Sequence, residues 1–256
     1  NLGIRPLPNL ETKFVAANTL IGIERPYQFS LRNEEIDIKE RQLRDVRERY
    51  FNARTPTTKK KYRQKDKDLR KDLAFLLKRD GFKPETTLLM SSWDPYDQNK
   101  FAKFFDIEWM FGLQNGFDVV IGNPPYVRVQ SITSKEKNYY NLTYKSATGN
   151  YDLYVLFIER SYLLLKEMGI SCLIHPNKFF VSNYGVGLRK YLSLNKAISR
   201  ILDFRANQVF ETATIYTCIS FLTKQNNTRI NYYSFDENIT FNDVINFFSS
   251  ESWKHY

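Results

Sequence analysis

Hydrophobic and polar positions along the chain follow two periods, which predict strands and helices in turn. The continuous apolar run at 117–122 predicts a buried strand of a parallel sheet, and further strands are predicted at 170–175 and 200–204. Between these strands, apolar residues recur at helical spacing over 151–167 and near 185–196. Strand, helix, strand, helix, strand is the order of a doubly wound α/β sheet.

Local signals predict the helix ends and the later strands. Asn150 is a candidate N-cap of the helix at 151–167, and Gly169 is expected to end it. Residues 214–223 alternate between apolar and polar positions, which predicts an antiparallel or edge strand. The segment 229–235 is expected to pair with that strand.

Four other segments have weaker patterns. Residues 13–20 predict a short strand that ends at a polar turn, and residues 82–116 are aromatic and irregular. Residues 127–149 are polar and predict a long loop, and a long loop beside a site often acts as a lid. The segment 236–256 has no clear pattern.

Residues 34–80 differ sharply from the rest of the chain, because they are highly charged and contain no glycine. Their apolar residues form two helical stripes, which are Ile36, Leu43, Val46 and Tyr50, and then Tyr62, Leu69, Leu73 and Leu76. The polar segment 54–57 separates the stripes, and Gly81 ends the second one. This pattern predicts an antiparallel helical hairpin.

Length and composition exclude several classes of protein. A chain of 256 residues with 42% hydrophobic content can build one large domain or two small ones. No apolar run is long enough to cross a bilayer, and no signal peptide opens the chain. Cys172 and Cys218 lie in apolar runs and are expected to be buried free thiols. With only His175 and His255 besides, a zinc site is not expected. We therefore predict a cytoplasmic protein with no membrane partner.

The chain is basic, with a formal net charge of +10, and a polyanion is the simplest partner for such a charge. Much of the excess lies on the second arm of the hairpin, 59–79, which carries ten Lys and Arg against three Asp. This arm is either a solvated face or a surface that contacts the phosphates of double-stranded DNA. The candidate phosphate-binding residues are Lys59, Lys60, Lys61, Arg63, Lys65 and Lys67.

The sequence Asn-Pro-Pro-Tyr at 123–126 carries the clearest chemistry. It follows the strand at 117–122, and the carboxyl edge of an open α/β sheet is where ligands bind. The Asn123 amide and the Pro124 carbonyl can each accept a hydrogen bond from an amino group, and Tyr126 offers a flat face for a base. This set suits chemistry at the amino group of adenine. Asn and Pro are also common turn residues, but the preceding strand favours the functional interpretation.

These residues resemble the gamma-class adenine-N6 DNA methyltransferases, especially the fused restriction–modification enzymes called type IIG. The resemblance covers most of the chain outside the hairpin, and its parts stand in the order of the family. The parts are the catalytic motif Asn123-Pro124-Pro125-Tyr126, the segment 149–154 running into Phe157, the strand and loop at 169–180, the late segments 208–210 and 214–224, and the early segments 7–10 and 17–20.

The resemblance implies roles for the motif. Asn123 and the Pro124 carbonyl would hold the adenine N6 and make it a better nucleophile. No general base is needed in the first step, because the methyl sulfonium is already reactive, and catalysis is chiefly orientation. Tyr126 would stack on the flipped-out base, with Phe210 over its other face.

The resemblance also implies S-adenosyl-L-methionine as the cofactor. Phe157 and Asn18 would lie against its adenosine part, although the family often has Asp where Asn18 stands. For Phe157 and Phe210 the competing interpretation is ordinary core packing.

The implied fold class is α/β, an incomplete Rossmann-like methyltransferase sheet with an inserted helical hairpin. The predicted domains are the start of the methyltransferase core at 1–32, the hairpin at 33–81, the core with the catalytic motif at 82–235, and a tail at 236–256 that leads toward a target-recognition domain. The first two strands of the family, with a glycine-rich loop and an acidic ribose partner, are expected to precede residue 1. The parent protein would supply them, together with a target-recognition domain and a possible nuclease. The isolated chain is then expected to bind the cofactor weakly or not at all by calorimetry.

Other functions remain open from the residues alone. Methyltransferases that act on glutamine of translation release factors share Asn-Pro-Pro-Tyr, and guanine-N2 methyltransferases of ribosomal RNA use similar motifs. The basic hairpin and the late Val209-Phe210 pair favour DNA. A non-catalytic chain that only binds DNA is the third alternative.

Overall fold

The computed structural model describes residues 7–26, 33–210, 215–235, 239–250 and 254–255. The chain forms two compact units, Asn1–Gln114 and Asn115–Tyr256. Parts of the predicted segments 1–32 and 236–256 lie outside the described residues, as does residue 214 at the start of a predicted strand.

The first unit contains the predicted hairpin. Helix α1 spans Glu34–Phe51 and helix α2 spans Pro56–Arg79, with the break where the polar segment predicted it. The Thr55 side chain accepts a hydrogen bond from the backbone N–H of Thr58, which caps α2. Gly81 follows α2 with a φ of 97°, a left-handed conformation that favours glycine.

A buried ion cluster fastens α1 and α2 to the rest of this unit. Asp66 on α2 is fully buried and accepts hydrogen bonds from Arg47 Nε at 2.7 Å and Arg70 Nε at 2.6 Å. Arg47 also donates to the Trp109 carbonyl oxygen, and Arg70 donates to the Trp93 carbonyl oxygen. One carboxylate thus holds two guanidinium groups, and these in turn bind the backbone beyond the hairpin.

Two expectations for the first unit are wrong. Residues 13–20 form no strand, because within the described part of the chain they pair only through one bridge, Ala17 with Ala102. The irregular segment 82–116 contains two helices, α3 at Pro84–Ser92 and α4 at Ile107–Phe111. The Asp106 side chain caps α4 by accepting from the Trp109 N–H at 2.8 Å.

The second unit is built on one sheet. Its strands are β1 Phe117–Gly122, β2 Leu165–Pro176, β3 Ile198–Asp203, β4 Thr217–Thr223, β5 Asn231–Ser234 and β6 Lys254–His255. The spatial order of the described strands is β1-β2-β4-β3-β5-β6. The pairs β1–β2 and β3–β5 are parallel, and the other three pairs are antiparallel.

Helices cover both faces of this sheet. They are α5 Ser134–Thr143, α6 Leu153–Leu163, α7 Val186–Leu194 and α8 Phe241–Ser250. Side chains of α6 and α7 pack on one face with Leu173 and Ile201. The next residue on β3, Leu202, packs on the other face with Phe247 of α8. The predicted fold class, an α/β sheet with a helical hairpin, is confirmed.

The sheet corrects two details and decides a third. The predicted parallel strand β1 pairs with β2, but it is an edge strand among the described residues, with Val119 59% and Ile121 79% exposed. Strand β4 is antiparallel, the first of the two predicted alternatives, and is central among the described strands. Since β2 and β3 occupy both sides of β4, the segment at 229–235 cannot pair with it, and β5 pairs with β3 instead.

The turn from α6 into β2 also differs from expectation. Asp152, not Asn150, is the N-cap residue of α6, and the helix ends at Leu163. Gly169 lies inside β2, where an added Cβ would come within 2.6 Å of the Phe117 carbonyl oxygen. A glycine is therefore needed at this position because β1 and β2 approach closely beside a register shift in β1. It does not end a helix.

Both cysteines carry free thiols, Cys218 buried and Cys172 half-buried. Among the described residues, no group of His, Cys, Asp and Glu could hold a metal ion. Within the same residues, no helix combines the length and apolar character that crossing a bilayer requires.

Replacing Asp66 with alanine is expected to destabilise the first unit by about 3–5 kcal/mol, since it leaves two buried guanidinium groups without their carboxylate. Asp68 on the same helix is exposed and, within the described structure, bonds only Gln64, so Asp68→Ala is a matched control that should change the free energy of unfolding by less than about 0.5 kcal/mol. Urea unfolding followed by tryptophan fluorescence measures both. Equal losses in the two variants would contradict the anchoring role.

Candidate functional site at the carboxyl edge of the sheet

The motif Asn-Pro-Pro-Tyr leaves the sheet directly after β1. Its neighbour β2 runs parallel, so the loops that follow both strands emerge at the same edge. Asn123 is exposed, and Pro124 behind it is buried. No hydrogen bond among the described residues uses the Asn123 amide or the Pro124 carbonyl oxygen. Two consecutive residues after β1 thus each carry an acceptor that has no partner within the described structure, Asn123 at the surface and Pro124 in the interior.

Tyr126 is half-buried beside this turn. Its hydroxyl donates to the Ile174 carbonyl oxygen of β2 at 3.4 Å, and its ring meets the Tyr154 ring edge-on with centroids 6.3 Å apart. Burial raises the pKa of Tyr126 to about 12, with a further electrostatic effect of Cys218 in the same direction. The ring is therefore a neutral, oriented apolar face at physiological pH.

A buried polar and aromatic layer supports Tyr126. Tyr154 stacks on His175 with centroids 5.7 Å apart and shares a 3.1 Å hydrogen bond with the hydroxyl of Tyr184. His175 bonds Ser220 Oγ at 2.8 Å. Complete burial lowers the pKa of His175 to about 4, against a small opposing effect of the Pro176 carbonyl. This layer is thus uncharged near neutral pH, and the sequence did not single it out.

The chain after the motif is tied to the start of α6. The Leu153 N–H donates to the Val127 carbonyl oxygen at 2.7 Å, and the Val129 N–H donates to the Tyr151 carbonyl oxygen at 3.0 Å. Tyr151 is fully buried and donates to Asn141 Oδ1. These bonds hold the motif between β1 and α6 as one assembly.

The segment predicted as a long loop at 127–149 contains helix α5. Thr133 and Glu136 form a capping box at its start, each side chain accepting from the backbone N–H of the other. The buried Glu159 of α6 accepts from the Ser146 N–H at 2.7 Å and orders the rest of the segment. The spacing Thr-x-x-Glu is a sequence signal that would have predicted this helix.

Two predicted aromatic residues lie in this unit. Phe157 is half-buried on α6, and Phe210 is half-buried after β3, where its carbonyl oxygen accepts from Gln208. Neither ring stacks on another aromatic ring among the described residues. Residues 211–214, which follow Phe210, lie outside them.

Asn18, the other predicted cofactor residue, lies in the first unit. Its Oδ1 accepts from the Leu20 N–H at 3.1 Å, and its backbone N–H donates to the Ala102 carbonyl oxygen. The oxygen thus builds a local turn, while the Nδ2 group remains a possible donor.

The basic arm of the hairpin forms one wall of a cleft of about 550 Å³ within the first unit. Four of the six predicted phosphate-binding residues line it, namely Lys59, Lys60, Arg63 and Lys67. Lys61 and Lys65 are exposed but do not line the cleft. Arg63 has structural partners too, since it donates to Tyr50 Oη at 2.7 Å and forms an ion pair with Glu11.

An α/β sheet with Asn-Pro-Pro-Tyr at its carboxyl edge suits several classes of methyltransferase, and comparison with known families decides between them. The model of the Eco57I restriction-modification methylase family matches residues 14–210, and the chain belongs to this family.

Curated relatives agree with this family. The chain is 42% identical over 144 residues to the type II restriction enzyme and methyltransferase RM.Eco57I of Escherichia coli, which covers 55% of this chain and 14% of the relative. It is 36% identical over 111 residues to the type II methyltransferase M.BstVI of Geobacillus stearothermophilus, which covers 43% of this chain and 20% of the relative. The chain thus spans a small part of the length of these relatives.

Among solved structures, the methyltransferase subunit of a type I restriction-modification system from Streptococcus thermophilus superposes with a TM-score of 0.44 at 20% identity. That match covers 66% of this chain and 39% of the subunit.

Proposed function

We propose that this chain is the catalytic part of a DNA methyltransferase in a restriction–modification system, which transfers the methyl group of S-adenosyl-L-methionine to N6 of an adenine flipped out of the duplex. The observation that carries the proposal is the exposed Asn123 beside the buried Pro124 at the carboxyl end of β1, in a chain of this family. Because the matched relatives are several times longer, the activity is proposed for the whole protein.

The chemistry proposed for Asn123 and Pro124 is orientation of the nucleophile. Their two carbonyl oxygens accept the two N–H bonds of the adenine amino group and aim the nitrogen lone pair at the methyl donor. An uncharged amide and an uncharged peptide suit this role, because the first step needs no proton acceptor. The neutral state of Tyr126 and His175 near pH 7 fits the same picture.

Tyr126 is proposed to stack on the extruded base. Its ring orientation is supported by the hydrogen bond to Ile174 and by the edge contact with Tyr154. Phe210 is proposed to cover the opposite face of the base, a role compatible with its partial exposure.

The cofactor supplies a methyl group on a sulfonium. Phe157 in the second unit and Asn18 in the first are each proposed to contact its adenosine part; the Phe157 ring is half-buried, and the Asn18 Nδ2 group makes no hydrogen bond among the described residues. Because Asn18 Oδ1 is already used by Leu20, this contact should be through the amide nitrogen alone.

The basic cleft on α2 is proposed to bind backbone phosphates of double-stranded DNA. Lys59, Lys60 and Lys67 are the proposed phosphate contacts. Arg63 is already hydrogen-bonded to another side chain of the first unit. Such contacts add affinity without reading the sequence.

The whole protein is proposed to add further segments around this chain. Among the described strands β1 is at an edge that additional strands could extend, and Val119 and Ile121 form an exposed apolar row on one face of it that a packed segment would cover. A target-recognition domain, remaining cofactor-binding segments and a possible nuclease complete the proposed protein. Its proposed location is the cytoplasm, where DNA is available and the free thiols Cys172 and Cys218 would persist.

In the complete protein, Asn123→Ala is expected to lower the rate of adenine methylation by more than about tenfold, or about 1.4 kcal/mol, because the amide acts on the reacting nitrogen. The affinity for S-adenosyl-L-methionine, measured by calorimetry, should stay within about twofold of wild type. Asn138→Ala, at an exposed asparagine on α5, is the matched control and should keep full activity. Retained activity in Asn123→Ala would contradict the assignment.

Tyr126→Ala and Phe210→Ala are each expected to weaken capture of the extruded base by about 1–3 kcal/mol, the usual contribution of base stacking on an aromatic ring. The fluorescence of 2-aminopurine placed at the target position reports extrusion. An unchanged signal in both variants would assign the two rings to packing.

Neutralising Lys59, Lys60 and Lys67 together is expected to flatten the salt dependence of DNA binding, by about 0.9 in the slope of log K against log salt for each lost phosphate contact. The matched control neutralises Lys61 and Lys65 on the same helix, which do not line the cleft, and should leave the slope closer to wild type. Sequence preference should not change. An equal effect in both variants would mean that the cleft has no special role.

A further inference from the structure

Two exposed cationic side chains lie on the two loops that follow β1 and β2 at the carboxyl edge of the sheet. Arg128 lies two residues after Tyr126, and Lys178 lies two residues after Pro176, in the turn that follows β2. Strands β1 and β2 are parallel neighbours, with Gly122 opposite Leu173, so both loops start from one edge.

Asp152 is an acid on which the charges of both cations act. It faces Arg128 across an isolated antiparallel bridge, which the bonds between 127–129 and 151–153 create. Half-burial raises the pKa of Asp152, while the positive charges of Arg128 and Lys178 act in the opposite direction. Within the described residues, neither cation makes a salt bridge with it or with another acid within 4.0 Å. The charges of two exposed cations therefore act on one half-buried carboxylate, and no ion pair in the described structure neutralises either cation.

We propose that Arg128 and Lys178 bind a backbone phosphate of DNA next to the adenine that Asn123 receives. This inference rests on the proposed function and adds a binding site to it. An exposed guanidinium can bind a phosphate through two parallel hydrogen bonds, and an ammonium adds a point charge. A base that leaves the stack carries its phosphates with it, so a cation pair beside Tyr126 can hold the extruded nucleotide.

Asp152 has a defined part in this site. Its carboxylate reduces the positive charge of the pair without closing on either cation, and its backbone holds Arg128 in register with the start of α6. The cation pair stays available for an anion from outside because no acid within salt-bridge distance competes for it in the described structure.

The test pairs a change in the protein with a change in the DNA. Complete protein is titrated with duplexes in which a neutral methylphosphonate replaces one phosphate at a time on either side of the target adenine. One linkage is expected to weaken wild-type binding by about tenfold, the usual size of a charge-assisted contact. In Arg128→Gln and in Lys178→Gln, the same linkage should cost about threefold, because one of the two partner charges is gone, and in the double variant it should cost less than about twofold.

Three control variants distinguish a specific phosphate contact from a general loss of positive charge and from a folding defect. Lys190→Gln removes an exposed cation on α7 and should keep the full effect of the linkage. Lys178 is exposed in a turn, so Lys178→Gln still decides the matter if Arg128→Gln does not fold. Asp152→Asn removes the opposing charge and should leave DNA affinity unchanged or higher; a clear loss would contradict the electrostatic account.

Other outcomes would overturn the proposal. If the losses of DNA affinity caused by the substitution and by the methylphosphonate are additive at every linkage, the cations do not contact a phosphate. A loss of affinity for S-adenosyl-L-methionine in both variants, with additive DNA effects, would assign the cations to the carboxylate of the cofactor. Adenine methylation of the unmodified duplex by the wild-type protein tests the proposed function separately. The phosphate site and the proposed function can therefore be rejected independently.

Discussion

The parallel pairing of β1 with β2 is the interaction on which the site depends. It brings the ends of the two strands to one edge, so that Asn123 and the loop after Pro176 leave the sheet together. The pairing requires the backbones to approach closely at Gly169, where a Cβ would lie 2.6 Å from the Phe117 carbonyl oxygen. It also requires a crossover, and the crossover helix α6 supplies Tyr154, on which Tyr126 rests.

The environment of the site favours catalysis by orientation over proton transfer. Tyr126 has a pKa of about 12 and His175 a pKa of about 4, both because of burial, so neither group changes charge near neutral pH. Tyr154 and His175 instead form a fixed layer behind the motif. The candidate cations lie elsewhere: Arg128 is exposed on the loop after the motif in the second unit, and Lys59 lines the basic cleft of the first unit.

The predictions that succeeded rest on strong local patterns, and the failures have physical causes. Long apolar stripes predicted α1 and α2, and the apolar run before Asn123 predicted β1. Helix α5 was missed because its sequence is polar, although its capping box was readable. Strand partners were missed because pairing is a tertiary property: β4 has both sides occupied, which no local pattern reveals. The buried layer at Tyr154 and His175 joins residues from α6 and β2, and spacing along the chain cannot show that contact.

The most direct test of the central claim is the identity of the methylated product. The complete protein, supplied with radiolabelled S-adenosyl-L-methionine, is offered double-stranded DNA, ribosomal RNA and release factor in parallel, and the labelled nucleoside or amino acid is identified by mass spectrometry. We expect label in DNA alone, as N6-methyladenine, and none when Asn123 is replaced by alanine. Label in guanine of ribosomal RNA or in glutamine of release factor, with none in DNA, would contradict the account.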